Sequence, residues 1–159
     1  KQIIFLPDKN LGNYVQSKTD KEIIIWDGYC SIHDNLDKNM LLNFKEKVPT
    51  AKIIAHPECK EEILDVSDHV CGTGGMASFA RNDVTNDFII VTECGMTEKL
   101  RQDVPEKNFH ALCNICPFMK MTTLPLVERT LQRLEHQIEI PKDIIEKARK
   151  SIDRMLEIG

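Results

Sequence analysis

The chain has 159 residues, of which 42% are hydrophobic and 29% charged, with 21 Lys+Arg against 25 Asp+Glu and a formal net charge of −4. That balance excludes a basic nucleic-acid footprint, and the apolar content excludes a disordered tail. No apolar run approaches the ~20 residues of a membrane-spanning helix, and no charged-then-apolar leader opens the sequence, so the expectation is a cytoplasmic protein without nucleic-acid or membrane partners.

Short apolar runs alternate with amphipathic ones. Strands are predicted at 3–6, 23–26, 53–56, 69–71, 88–92 and 109–112. They are β-branched or aromatic and lack polar alternation, which is how strands buried on both faces of a parallel sheet read. Helices are predicted between them at 11–17, 36–47, 60–66, 76–81 and 97–103, and two more at 124–136 and 142–156. In the last, Ile144, Ile145, Ala148, Ile152, Met155 and Leu156 recur at helical spacing behind Pro141. The pattern is α/β, with three-layer αβα units and mainly parallel short sheets joined by right-handed crossovers. A division near Pro49 is expected, giving a partial αβα domain over 1–49, a complete one over 50–122 and C-terminal helices over 123–159.

In such sheets function gathers at the carboxyl ends of the strands. The unusual residues stand there: Pro7-Asp8, Asp27-Gly28-Tyr29-Cys30, His56-Pro57-Glu58-Cys59, Cys71-Gly72-Thr73-Gly74-Gly75, Thr92-Glu93-Cys94 and Cys113-Asn114-Ile115-Cys116. A faint repeat links two of them. Pro7 and Cys30 are 23 positions apart, as are Glu93 and Cys116. Each pair brackets a helix and a strand, so two similar units would present a cysteine at equivalent places.

Six cysteines in a chain with abundant helix pattern are expected to be reduced thiols, most of them small buried hydrophobes. Cys113-x-x-Cys116 is compatible with half a zinc site, a redox pair or part of an iron–sulfur site. Cys30 lies between a strand and a helix, where the helix dipole favours negative charge, suiting a ligand or a nucleophile. His33, three positions on, suggests a Cys–His pair, but a spacing of three at a helix start is weak evidence and the residue reads better as a solvent-facing cap histidine. His56 and Glu58 flank Pro57, which stops the strand. They suit a hydrogen-bond donor and a general base facing a cleft, or Glu58 is simply an acid in the first turn of the next helix. Gly72-Thr73-Gly74-Gly75 ahead of a helix suits phosphate or carboxylate binding but matches no nucleotide-binding motif. A non-catalytic anion-binding α/β domain with a redox or zinc-binding CxxC is the alternative that these residues leave open.

Taken together, FLPDKNLGNYV, WDGYCSIHD, HPEC, the Gly-Thr-Gly-Gly loop, VTECGM and NICPFMKMTTL resemble quinolinate synthase, an iron–sulfur enzyme family of NAD (pyridine nucleotide) biosynthesis, in the family's order and over nearly the whole chain. The resemblance implies three similar αβα domains around a pseudo-threefold axis, each giving one cysteine to a central [4Fe–4S] cluster. Cys30 and Cys116 match two of these ligands. His56, Pro57 and Glu58 match the family's substrate-contacting His-Pro-Glu, with Glu58 as acid/base, and Thr73 matches the threonine of its Ser-Thr-Ser loop. Here Gly72 and Gly74 stand where many relatives carry serine. The implied activity is that of a transferase that condenses iminoaspartate with dihydroxyacetone phosphate. The implied protein partner is the enzyme that oxidises aspartate. The match begins part-way into the second domain. The resemblance therefore implies that the third cysteine comes from an N-terminal domain absent from these residues, and that the site is incomplete here.

Overall fold

A computed structural model describes residues 2–112 and 114–158. It contains six strands and nine helices among these residues. Two compact units emerge, one ending at Cys116 and one beginning at Pro117. No helix among the described residues is long and apolar enough to cross a membrane.

The first unit carries every strand, and every strand pairing is parallel. It opens with β1 (Ile3–Phe5), α1 (Lys9–Gln16) and β2 (Ile23–Ile25), then the single-turn α2 (Ser31–Asp34) and α3 (Lys38–Lys47). β3 (Lys52–Ala55), α4 (Glu61–Leu64), β4 (His69–Val70), α5 (Thr73–Asn82), β5 (Asp87–Val91), α6 (Cys94–Asp103) and β6 (Asn108–Ala111) follow. β1 and β2 form a two-stranded sheet before Pro49. The other four strands form a second sheet after it, in the order β4-β3-β5-β6.

Side chains of the four-stranded sheet alternate between its faces, as the pleat requires. Ile53, Ala55, Ile89 and Val91 join Leu36, Leu41 and Ile63 in one buried cluster. Ile54, Phe88 and Ile90 join Met76, Ala80, Leu100 and Phe109 in the other. The two clusters therefore sit on opposite faces, with α3 and α4 contributing to one and α5 and α6 to the other. This is the expected αβα layering. The apolar, non-alternating strands follow from it, because both faces are covered.

The β1–β2 sheet departs from that expectation. Its strands are as apolar as β3 and β5, yet Ile4 is 73% and Ile24 48% exposed. α1 packs closely enough on β2 that a Cβ at Gly12 would collide with Ile25.

The helix expected at 36–47 is α3, and the single turn α2 ahead of it was not predicted. The Asp37 side chain accepts a hydrogen bond from the Met40 amide at 2.7 Å and starts α3, leaving α2 as a separate turn before it. α5 begins at Thr73 rather than 76, because its glycines do not read as helix formers from propensity.

The second unit contains α7 (Pro117–Lys120), which the apolar pattern did not predict, then α8 (Leu124–Arg133) and α9 (Lys142–Ile158). Thr123 caps α8, and Leu134 in the left-handed region ends it.

Candidate functional site

β3 connects through α4 to β4 on one side, whereas the chain reaches β5 on the other side of β3. The carboxyl ends of β3 and β5 thus flank a topological switch point, where open parallel sheets form a crevice. His56 and Glu58 follow β3, and Thr92 and Glu93 follow β5. The segment after β2 reaches the same crevice, bringing Cys30 and His33.

Asp8 fixes that segment. It is 3% exposed and uses both carboxylate oxygens. Oδ1 accepts from the Leu11 amide at 2.8 Å, capping α1, and Oδ2 accepts from the Cys30 amide at 2.7 Å. Gly28 is required just upstream, because a Cβ there would strike the Pro7 carbonyl oxygen. Cys30 then becomes the N-cap residue of α2. Asn10 of α1 donates to the Glu58 carbonyl at 3.1 Å, and Asn114, just past β6, donates to the Ile32 carbonyl at 2.8 Å. These bonds tie α1, α2 and the loop leading to Cys116 to one rim.

His33 is the centre of the arrangement and corrects the sequence expectation of a solvent-facing cap. It is 8% exposed. Its Nδ1 lies 2.9 Å from Glu58 Oε2, and its Nε2 lies 2.8 Å from the hydroxyl of buried Thr92. With a carboxylate at Nδ1, that nitrogen carries the proton and donates, and Nε2 accepts from Thr92. The His33 ring stacks on His56 at 4.4 Å between centroids, 12° from parallel. His56 Nδ1 accepts from the Glu58 amide at 3.3 Å, leaving Nε2 as its donor. Burial pushes both imidazoles below the usual histidine range, while Glu58 pulls the other way on both. The neighbouring His33 lowers His56 further. Both rings are therefore neutral near pH 7.

Glu58 precedes α4, which begins at Glu61. Its side chain faces His33, so a first-turn helix charge does not explain it. Thr73 is exposed at the first position of α5, just after β4, the strand next to β3, where Ala55 and Val70 are in register. A Cβ at Gly72 or Gly74 would meet nothing within 4 Å, so the loop is open around Thr73.

The thiols separate by environment. Cys30, Cys59, Cys71 and Cys116 are free. Cys59 is fully buried, its Sγ 3.6 Å from the Val91 carbonyl, and burial pushes its thiol up to about 12. Burial also raises the Cys71 thiol. Cys94 is disulfide-bonded, which corrects the expectation that all the thiols are reduced. Cys113 lies outside the described residues. Cys30 is half-buried, and its Sγ, one His33 ring nitrogen and one Glu58 carboxylate oxygen all lie within 4.8 Å of one another. Cys116 is buried at the end of the first unit.

Reading the residues alone missed Asp8, His33 and Thr92 as parts of this arrangement. The Cys30-x-x-His33 spacing was the available signal, since residues three apart share one face of a helical turn. A groove of about 750 Å³ beside Tyr14, Lys60 and His69 is lined by none of Cys30, His33, His56 or Glu58.

Residues 1–157 match the family model described as quinolinate synthetase A protein. The quinolinate synthase of Methanosarcina barkeri is 42% identical over 159 residues, covering 99% of this chain and 52% of that protein. The quinolinate synthase of Clostridioides difficile is 42% identical over 162 residues, covering 100% and 53%. That of Cyanophora paradoxa is 37% identical over 164 residues, covering 99% and 50%. The chain spans about half the length of these curated relatives. By its match over residues 1–157, the chain belongs to the quinolinate synthetase A protein family.

Proposed function

We propose that these residues form part of a quinolinate synthase, a transferase of NAD biosynthesis that condenses iminoaspartate with dihydroxyacetone phosphate to quinolinate. Support comes from the family match and from one observation above all: a carboxylate, two neutral imidazoles and a free thiol meet at the switch-point crevice. In this reading Cys30 and Cys116 are two ligands of a [4Fe–4S] cluster, and a third cysteine comes from outside the 159 residues. The donor type fits, because both are free thiols and thiolates are the usual ligands of such clusters. When bound, the cluster supplies a Lewis-acidic iron for a substrate oxygen.

The chain's own residues then have distinct tasks. Glu58 accepts and returns protons during enolisation and ring closure. His33 orients its carboxylate through the 2.9 Å bond. His56 offers its Nε2–H to a substrate carboxylate, and Pro57 fixes the backbone between them. Thr73 and the open glycine loop at the start of α5 hold a carboxylate or phosphate. The domain division at 1–49, 50–122 and 123–159, a cytoplasmic location and contact with the aspartate-oxidising enzyme belong to the same reading.

The test is a graft of these residues in place of the matching segment of the Methanosarcina barkeri enzyme, reconstituted anaerobically. Iron and acid-labile sulfide are expected to be lost in Cys30→Ala and in Cys116→Ala, and kept in Cys59→Ala. A full cluster after either of the first two changes contradicts the ligand assignment.

A further inference from the structure

We propose that Cys30, His33 and Glu58 form a binding site for a single zinc-type divalent ion, independent of Cys116. One sulfur, one imidazole nitrogen and one carboxylate oxygen are the donor types that such an ion takes. Their ligand atoms already lie within 4.8 Å of one another, and tetrahedral zinc holds its ligands roughly 3.5 Å apart. The adjustment is about an ångström, and the half-buried Cys30 and Glu58 leave a way in from solvent.

The surroundings of His33 support the inference independently of that spacing. A metal-binding histidine needs a lone pair facing the ion and a partner for its other N–H. In the metal-free chain Nδ1–H donates to Glu58, and Nε2 accepts from Thr92. An ion entering between Nδ1 and Glu58 requires the ring proton to leave Nδ1 for Nε2. The buried Thr92 hydroxyl tolerates both states, because it donates to a bare Nε2 and accepts from a protonated one. The stacked His56 holds the ring plane in place. The ring can thus become a ligand through a tautomer shift without a rotation. Three protein ligands leave a fourth position for water, the arrangement of an open zinc site.

The ion and a cluster would compete for Cys30, so zinc loading would block cluster assembly. That consequence rests on the cluster reading, whereas the ion site itself does not.

The experiment titrates Co²⁺ into the 159-residue chain, reduced and freed of metal with a chelator, and then displaces it with Zn²⁺. The expected result is one equivalent bound, with a thiolate-to-cobalt charge-transfer band and intense visible bands of a four-coordinate site, all removed by zinc. Cys30→Ser should abolish the charge-transfer band. His33→Gln and Glu58→Gln should weaken binding at least about tenfold, and Thr92→Val by roughly 10- to 100-fold, the usual cost of an outer-shell partner. Cys116→Ser and Cys59→Ala should bind as the parent does. Zinc X-ray absorption of the unaltered chain provides a reading that needs no variant: one sulfur at about 2.3 Å with nitrogen and oxygen at about 2.0 Å is expected. A band that survives Cys30→Ser, a band lost in Cys116→Ser, or two or more sulfurs around zinc overturns the proposal. Loss in Cys116→Ser would do so while leaving the cluster reading standing.

Discussion

His33 Nδ1 and Glu58 Oε2 lie 2.9 Å apart, although the two residues are 25 positions apart and follow strands of different sheets. The contact joins the β2 segment to the four-stranded sheet, and Thr92 extends it to β5. His33→Ala would leave the buried Thr92 hydroxyl without its partner and open a gap against His56. A cost of about 2–3 kcal/mol in urea unfolding of the metal-free chain is expected. A change below about 0.5 kcal/mol would show that the contact is incidental.

The two imidazoles give stability a definite pH dependence. Burial lowers both folded-state pKa values below the unfolded value near 6.5, so the unfolded chain binds more protons as pH falls. Their contribution is fully present above pH 6.5 and is lost as pH drops through the folded values. The unfolding temperature measured with chelator present should therefore fall from pH 7 to pH 5. The slope should be shallower in His33→Gln. An equal slope in that variant would place the titration elsewhere.

Thiol accessibility should separate the cysteines. Cys59 is fully buried with its thiol pushed up to about 12, and thiolate is the reactive form. Iodoacetamide at pH 8 should modify half-buried Cys30 in the native chain and reach Cys59 only in denaturant. Peptide mass mapping reads both, and native labelling of Cys59 contradicts its placement in the core.

The layered core predicts a contrast between two aliphatic truncations. Leu41 is fully buried under one face of the four-stranded sheet, and Leu41→Ala should cost about 2–5 kcal/mol. Val84 is 94% exposed, and Val84→Ala should stay within about 0.5 kcal/mol. Similar costs at the two positions would contradict the αβα packing.

Much of this architecture was readable from residue order. Ile53–Ala55 and Phe88–Val91 are apolar without alternation because both sheet faces are covered, and the structure buries them on both. Ile3–Phe5 and Ile23–Ile25 read the same way but lie largely open. Hydrophobicity reports what a strand is suited to contact, not what contacts it. The matched spacing of Cys30 and Cys116 corresponds to two strand–helix–strand units, β1-α1-β2 and β5-α6-β6, each parallel and each with an acidic N-cap, Asp8 and Glu93. His33 was misread because a Cys–His spacing of three at a helix start is a weak signal by itself. The short turn α2, which starts after Cys30, carries His33 inward. Thr92 was marked only by its place at a strand end, since a threonine closing a strand is ordinary until a ring nitrogen is found beside it.

The measurement closest to the central claim is the turnover of Glu58→Gln in the Methanosarcina barkeri graft, supplied with iminoaspartate and dihydroxyacetone phosphate. Glutamine keeps the shape and the hydrogen bonding while removing the base. The expected result is an unchanged cluster spectrum with quinolinate formation reduced by roughly 10²-fold or more, the usual effect of losing a general base. Unchanged turnover with an intact cluster would contradict the role assigned to Glu58.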